Sequence, residues 1–332
     1  MPATLKVSRG APYARILGVG GYRPTRVVPN DEILKHIDSS DEWIRSRSGI
    51  VTRNWAGEEE TVAEMSLAAA GKAVADAGID AEQVDAVIIS TVSHMKQTPA
   101  VATEIAHRLG AGTPAAFDIS AACAGFGYAL TVGRGLVVDG SARHVLVVGV
   151  ERLSDLTDLT DRSTAFLFGD GAGAVVLGPS EVPAIGPTVW GSEGDRAETI
   201  TQTVAWDRFQ PGDKRPALRQ EGQTVFRWAV FDMAKVAQQA LDAAGITADD
   251  LDVFIPHQAN MRIIDSMVKT LKLPEHVAVA RDIETTGNTS AASIPLAMER
   301  MLATGQAKSG DTALLIGFGA GLVYAATVVT LP

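Results

Sequence analysis

The feature that most constrains this 332-residue chain is an internal repeat at about half its length. The stretch Ala77-Gly-Ile-Asp-Ala-Glu-Gln-Val-Asp85 resembles Ala244-Gly-Ile-Thr-Ala-Asp-Asp-Leu-Asp252, with Gly78 and Gly245 standing 167 residues apart. His144-Val-Leu-Val-Val-Gly149 matches Thr312-Ala-Leu-Leu-Ile-Gly317 at a spacing of 168. One such match is weak; two at nearly the same offset point to two related halves, each with a helix, a glycine turn and a buried strand. Short runs rich in valine and isoleucine, such as Asp85-Ala-Val-Ile-Ile-Ser90, alternate with alanine-rich helical stretches, so the fold class is α/β with strands covered on both faces. The boundary is expected near Pro179 to Pro187, where glycine and proline interrupt the pattern after a strand at Gly173 to Leu177, dividing the chain into 1–183 and 184–332. The polar region Asp207 to Gly222 reads as an exposed excursion or lid, or equally as a plain surface loop.

Composition excludes several function classes. A net charge of -10 gives no support to a nucleic-acid footprint, which needs a basic stripe. The single cysteine rules out an intramolecular disulfide and a multi-cysteine zinc site, and it favours a reducing compartment. The start, MPATLKVSRGAPYARILGVGG, has no apolar run of secretory length, and no later stretch approaches the ~20 apolar residues of a membrane span. The expectation is therefore a soluble, cytoplasmic protein without membrane insertion. The six histidines show no ligand spacing, so no metal is expected.

Cys123 lies in Phe117-Asp-Ile-Ser-Ala-Ala-Cys-Ala-Gly-Phe-Gly-Tyr-Ala-Leu130, where a strand ends and small residues lead into a helix. At a helix N-terminus unpaired amides and the helix dipole would favour a thiolate, and Ala122, Ala124 and Gly125 leave room for a carbonyl. Taken alone, a buried cysteine is more often a small core residue. His257 follows the strand-like Val253-Phe-Ile-Pro256, at the kind of carboxyl end where open α/β sheets gather function; alone, such a histidine is more often structural. The repeat maps His257 onto Ser90 and Asn288, in Thr285-Thr-Gly-Asn-Thr-Ser-Ala-Ala-Ser293, onto Ser120. The two loops are thus expected to face each other, although Gly-Asn-Thr-Ser also suits a turn and helix cap. Glycines 317, 319 and 321 end a buried strand and could aim backbone N–H groups at an oxyanion. Neither that loop nor Gly18-Val-Gly-Gly21 opens a dinucleotide fingerprint, and no G-x-S-x-G occurs.

Together Ala121-Ala-Cys-Ala-Gly-Phe126, His257-Gln-Ala-Asn260, Gly287-Asn-Thr-Ser-Ala-Ala-Ser293 and Asp38-Ser-Ser-Asp-Glu-Trp-Ile44 resemble β-ketoacyl-acyl carrier protein synthase III, in that family's order and over nearly the whole chain. The resemblance implies the thiolase fold, a five-layer αβαβα arrangement of two pseudo-symmetric halves, and a homodimer. It implies that Cys123 attacks an acyl-CoA primer while the backbone N–H groups of Cys123 and Ala320 hold the oxyanion. Malonyl-acyl carrier protein would then bind, and His257 and Asn288 would steady the enolate formed as carbon dioxide departs. No cofactor is implied beyond these substrates. An enolate needs neutral or cationic donors, which histidine and asparagine supply.

By the same resemblance Trp43 and Arg162 would sandwich the CoA adenine, Arg47 would lie near the phosphates, and Phe226 and Asn260 along the pantetheine arm. Arg262, Lys269 and Lys272 fall on one polar face after His257, a docking patch for an acidic carrier or an ordinary solvated face. Two departures stand out. Many family members carry glycine where this chain has Ala320. Thr98 occupies a position that can hold a bulky aromatic reaching a neighbouring subunit's acyl pocket, which hints at longer or branched primers. Two other functions remain open: a pathway-specific acyltransferase of the same fold, and a non-catalytic partner subunit.

Overall fold

The apolar runs form two five-stranded mixed sheets of matching strand order, described for residues 5–332 in a computed structural model. Residues 1–4, at the start of the stretch read as lacking a secretory leader, lie outside the described residues. The first sheet runs Tyr13–Tyr22, Asp170–Ser180, Val145–Arg152, Ala86–Ser90, Ala115–Ile119. The second runs Val189–Ser192, Val323–Thr330, Thr312–Gly319, Val253–Pro256, Ala278–Val279. In each, the three strands at one side are parallel and the remaining two add antiparallel. The strand expected at Gly173 to Leu177 is longer, Asp170–Ser180, because its edges pair along both neighbours.

Strand alternation sorts the core into layers. Ile88 points inward with Val145 and Val147, while Val87 and Ile89 point outward beneath the helices Val62–Asp76 and Val101–Leu109. In the second sheet Val253 and Ile255 point inward, and Phe254 packs outward under Met233–Ala244 and Met261–Leu271. Between the sheets lie the helices Gly125–Asp139 and Ser293–Ala303, whose Phe126, Leu130, Ile294 and Met298 fill the inner layer. The result is five layers, α, β, α, β, α. Each fully buried large aliphatic side chain here contributes roughly 1.5–3 kcal/mol. Among the described residues, no helix is long and apolar enough to cross a membrane.

The repeated glycines have a packing reason. A Cβ on Gly149 would meet the Ala291 carbonyl oxygen at 2.2 Å, and one on Gly317 would meet the Cys123 carbonyl oxygen at 2.9 Å. Each sheet therefore receives the turn of the opposite half on a bare glycine, which is why this residue recurs at the 168-residue offset.

Candidate active site

Two symmetry-related turns create the site. Each is a short 3-10 turn, Ala122–Ala124 and Ser290–Ala292, that opens directly into an inner helix. Each begins with a residue in the left-handed region that is not glycine, Ala122 at φ 44 and Ser290 at φ 47. A side chain in that region costs energy that surrounding structure must offset, and such residues gather at functional turns. Here the sharp reversal lifts Cys123 out of the strand end and into a cavity of about 1080 Å³.

That cavity is lined by Cys123, His257, Asn288 and Ala320 together, with Ser120 and Ser290 beside them. Gly319, extended at φ 179, lies so close to Cys123 that a Cβ on it would stand 2.8 Å from Cys123 Cβ and 2.9 Å from Sγ. Burial pushes the Cys123 thiol up to about 12; a hydrogen bond from Ser290 opposes this and the Glu151 charge adds to it. The residue keeps part of its surface toward the cavity, with Gly319 against its thiol. Burial thus opposes the thiolate that the helix start favours.

His257 ends the strand Val253–Pro256, held by its N–H to the Ile316 carbonyl at 2.7 Å, and it is 2 % exposed. Burial lowers its pKa to about 3, so the ring is neutral. Its Nδ1 lies 2.7 Å from Ser293 Oγ, which itself accepts a long 3.5 Å bond from the Gln258 N–H. When Ser293 donates to Nδ1 the ring proton sits on Nε2, the tautomer that lets His257 donate into the cavity. Phe318 packs edge-on against the imidazole, ring centroids 5.4 Å apart.

Asn288 is stitched through its backbone between Leu167 and Gly169, at 2.8 and 3.0 Å. Its Oδ1 accepts the Ser290 N–H at 2.9 Å, so the NH₂ group is the half left to donate. Gly287, beside Asn288, lies against Arg53, a fully buried guanidinium that donates to Asn30 Oδ1 and to the Val28 and Phe166 carbonyls. An imidazole and a carboxamide thus share one cavity with a thiol, a set whose N–H donors can stabilise negative charge on an oxygen.

The remaining residues sort into two groups. Trp43, Arg162 and Arg47 form a surface cluster away from the cavity lining, with the Arg162 and Arg47 guanidinium carbons 5.3 and 6.0 Å from the Trp43 ring. Phe226 carries Arg262 on its face at 4.7 Å. Asn260 caps Met261–Leu271, accepting the Arg262 N–H and donating to the Arg47 carbonyl at 2.9 Å. Lys269 is exposed on that helix, whereas Lys272 leaves it, closing its C-terminus in a left-handed turn at φ 51. Arg262, Lys269 and Lys272 are all exposed, Arg262 with its guanidinium over Phe226 and Lys272 in the turn that closes the helix. Thr98 is exposed and does not line the cavity, although Met95 and Gln97 do. The excursion expected at Asp207 to Gly222 belongs to the cavity wall: Ile200–Gln202 pairs with Leu218–Gln220, and Trp206, Asp207 and Arg215 line the space beneath.

Sequence reasoning missed Glu151, Ser290 and Ser293. Glu151 had a signal, a carboxylate closing an otherwise apolar strand, Val145–Arg152. The two serines had none, because their role depends on contacts made across the fold.

The chain is similar to known proteins over nearly its whole length. Residues 117–194 match the family model "3-Oxoacyl-[acyl-carrier-protein (ACP)] synthase III", and residues 241–331 match its C-terminal counterpart. The chain is 78% identical over 340 residues to "Beta-ketoacyl-[acyl-carrier-protein] synthase III 1" of Streptomyces coelicolor, covering 99% of both chains. It is 53% identical over 330 residues to the "Mycobacterial beta-ketoacyl-[acyl-carrier-protein] synthase III" of Mycobacterium marinum, covering 99% of this chain and 98% of that one. Among solved structures, the priming β-ketosynthase from the R1128 polyketide biosynthetic pathway superposes with a TM-score of 0.97 at 49% identity, covering 99% of each chain. The 3-oxoacyl-[acyl-carrier-protein] synthase III of Aquifex aeolicus gives 0.88 at 39%, covering 96% of this chain and 99% of that one.

Proposed function

The chain belongs to the β-ketoacyl-acyl carrier protein synthase III family and is a condensing acyltransferase of fatty acid initiation with the thiolase fold, and from that premise we propose the residues that do the work. Cys123 takes the acyl group from an acyl-CoA primer, releasing CoA. The N–H groups of Cys123 and Ala320 receive the oxyanion of each tetrahedral intermediate; a backbone donor tolerates the methyl group of Ala320. Malonyl-acyl carrier protein then enters, and its thioester oxygen accepts from His257 Nε2–H and from the Asn288 amide. As carbon dioxide leaves, charge moves onto that oxygen, and the enolate carbon attacks the Cys123-bound acyl group. The product is β-ketoacyl-acyl carrier protein, and Cys123 is free again. Neither half-reaction changes an oxidation state, so neither calls for a redox cofactor.

The observation that carries this reading is the convergence of Cys123, His257, Asn288 and Ala320 on one cavity; burial keeps the imidazole neutral, and the tautomer with Ser293 donating to Nδ1 makes Nε2–H the donor. A neutral donor neither repels the malonyl carboxylate nor gives up a proton at rest, and it strengthens as the enolate forms. Trp43, Arg162 and Arg47 form the adenine and phosphate end, with Phe226 and Asn260 along the arm. Arg262 and Lys269 meet the carrier, with Lys272 at the edge of that patch. We take residues 1–183 and 184–332 as the two halves, the protein as cytoplasmic, and two copies as the working unit. The half-exposed edge strand Ala115–Ile119, with Phe117 and Ile119, supports pairing with a second copy that brings Thr98 toward its partner's acyl pocket. A second reading, priming of a specialised pathway, is favoured by the likeness to the R1128 priming ketosynthase and changes the primer rather than the chemistry.

The test is a panel of acyl-CoAs offered with malonyl-acyl carrier protein, following carrier-bound product by mass. Product formation with release of carbon dioxide supports the reading, and the fastest primer separates the two pathways. Acylation of the enzyme with no carrier-dependent carbon dioxide would overturn it.

A further inference from the structure

The two turns that bring Cys123 and Asn288 together diverge at two matched positions. Ser290 stands 168 residues after Ala122, as Gly319 stands after Glu151. Both turn residues are left-handed, Ala122 at φ 44 and Ser290 at φ 47. Ala122 shows that this turn forms without a hydroxyl, so the Ser290 side chain has another task. On the Cys123 side both positions are small, and Gly319 lies against the thiol. On the Asn288 side both are polar and joined, since Ser290 Oγ donates to Glu151 Oε1 at 3.2 Å.

Glu151 is 0 % exposed at the end of Val145–Arg152, and among the described residues no lysine or arginine pairs with it. Its other partners tie it to the first half. The Val92 N–H reaches both carboxylate oxygens, at 3.1 and 3.3 Å. Ser93 Oγ accepts from the Arg152 N–H at 2.8 Å and donates to Glu151 Oε2 at 2.6 Å. Thr91 Oγ1 donates to the same oxygen at 3.3 Å. Thr91 to Ser93 directly follow Ala86–Ser90, the strand paired beside Val145–Arg152, so the carboxylate is fixed within one sheet. Gly149 lies two residues earlier on the same face of its strand, and a Cβ there would meet the Ala291 carbonyl. Gly149 thus admits the Ser290–Ala292 turn, and Glu151 hooks it.

Ser290 carries that anchorage on to Asn288, because its N–H donates to Asn288 Oδ1 at 2.9 Å. A carboxamide has an accepting end and a donating end. The bond from Ser290 fixes which one faces the cavity; without it the group can turn and set its oxygen against a developing negative charge. We propose that Glu151 is a positioning residue: through Ser290 it holds the Asn288 NH₂ group toward the malonyl thioester, and so serves decarboxylation rather than acylation of Cys123. This rests on the reading of Asn288 as a donor to that thioester. A donor held ready by a rigid sheet needs no rearrangement as the enolate forms, which is where such a contact gains most.

Single-turnover measurements on the whole protein separate the two steps. Acylation by acyl-CoA is read by intact mass, and carbon dioxide release is followed when malonyl-acyl carrier protein meets the isolated acyl-enzyme. Asn288→Ala is expected to slow carbon dioxide release about a hundredfold, as loss of one such donor does. Ser290→Ala and Glu151→Gln are expected to slow it about tenfold more than they slow acylation. Adding Ser290→Ala to Asn288→Ala should then cost less than about twofold, because the group it positions is gone. A merely structural role gives the reverse: both steps fall together, and the cost of Ser290→Ala persists without Asn288. Either of those results overturns the proposal, as does carbon dioxide release within about threefold of wild type in Ser290→Ala or in a folded Glu151→Gln. Should Glu151→Gln not fold, the Ser290→Ala comparison decides alone; that variant is expected to fold, because Ala122 already holds the matching turn. If Asn288→Ala itself releases carbon dioxide at the wild-type rate, the role given to Asn288 has failed, and the proposal falls with it.

Discussion

Replacing Gly319 with alanine probes the contact on which the nucleophile's position depends. The backbone at Gly319 is extended, so alanine incurs no conformational strain there. What it meets is Cys123: Cβ at 2.8 Å, Sγ at 2.9 Å and the backbone N at 3.1 Å, where ordinary contact begins at 3.4 Å. The two turns must separate by about 0.6 Å, and because one of the three atoms is backbone, rotating the thiol does not relieve the overlap. Overpacking of this kind costs about 1–3 kcal/mol. At ~2.1 cal/mol/K per residue of unfolding entropy, 2 kcal/mol lowers Tm by about 3 °C. The catalytic cost is larger in proportion, since a 1 Å misplacement removes on the order of a hundredfold in rate; a shift of 0.6 Å is expected to slow acylation by tenfold or more. Intact-mass acylation under single-turnover conditions, with a thermal melt on the same sample, measures both. Acylation at the wild-type rate with an unchanged Tm would refute the close approach of Gly319 to Cys123.

The other consequences are more local. Gly135→Ala, on the exposed face of the same inner helix with nothing within 4 Å of the new Cβ, is expected to stabilise by about 0.5–1 kcal/mol without changing acylation; destabilisation in denaturant titration would contradict the helix. His257 is neutral when folded, with its pKa near 3, and titrates at about 6.5 when unfolded, so the unfolded chain takes up a proton and stability is lost as pH falls below 6.5. At ~1.36 kcal/mol per unit this reaches about 2 kcal/mol at pH 5, and His257→Asn should gain that much on wild type between pH 7.5 and 5. A gap that does not move with pH would contradict a buried neutral imidazole. Trp43→Ala, which removes the face carrying Arg162 and Arg47, is expected to raise KM for acyl-CoA about tenfold with kcat nearly unchanged; an equal fall in kcat would place the cluster in the chemistry.

The repeat made the architecture legible. Gly149 and Gly317 match because each must admit the other half's turn, and that single requirement brings the Cys123 and Asn288 loops face to face. His257 was legible as the residue following a buried strand. What the string of residues could not convey was the surrounding support. Ser293 orients His257 across 36 positions, and Ser290 reaches Glu151 across 139, distances at which a serine carries no local signature. The acidity of the thiol was hidden for a related reason: a helix start is visible in sequence, whereas the burial that opposes it arises only when the fold brings Gly319 against Cys123. The left-handed turns at Ala122 and Ser290 were equally hidden, since neither is glycine. The likeness of the 207–222 region to a plain loop concealed that Asp207 and Arg215 wall the cavity.

The most direct measurement is a single turnover in two stages on the intact protein. Enzyme acylated by acyl-CoA is freed of excess primer and digested to locate the adduct; malonyl-acyl carrier protein is then added, and the masses of enzyme and carrier are followed together. The expected result is one acyl group on Cys123 that disappears as carrier bearing a β-ketoacyl chain appears, with one carbon dioxide released per enzyme. An adduct on any other residue, or an acyl-Cys123 that persists after malonyl-acyl carrier protein is added, would contradict the account.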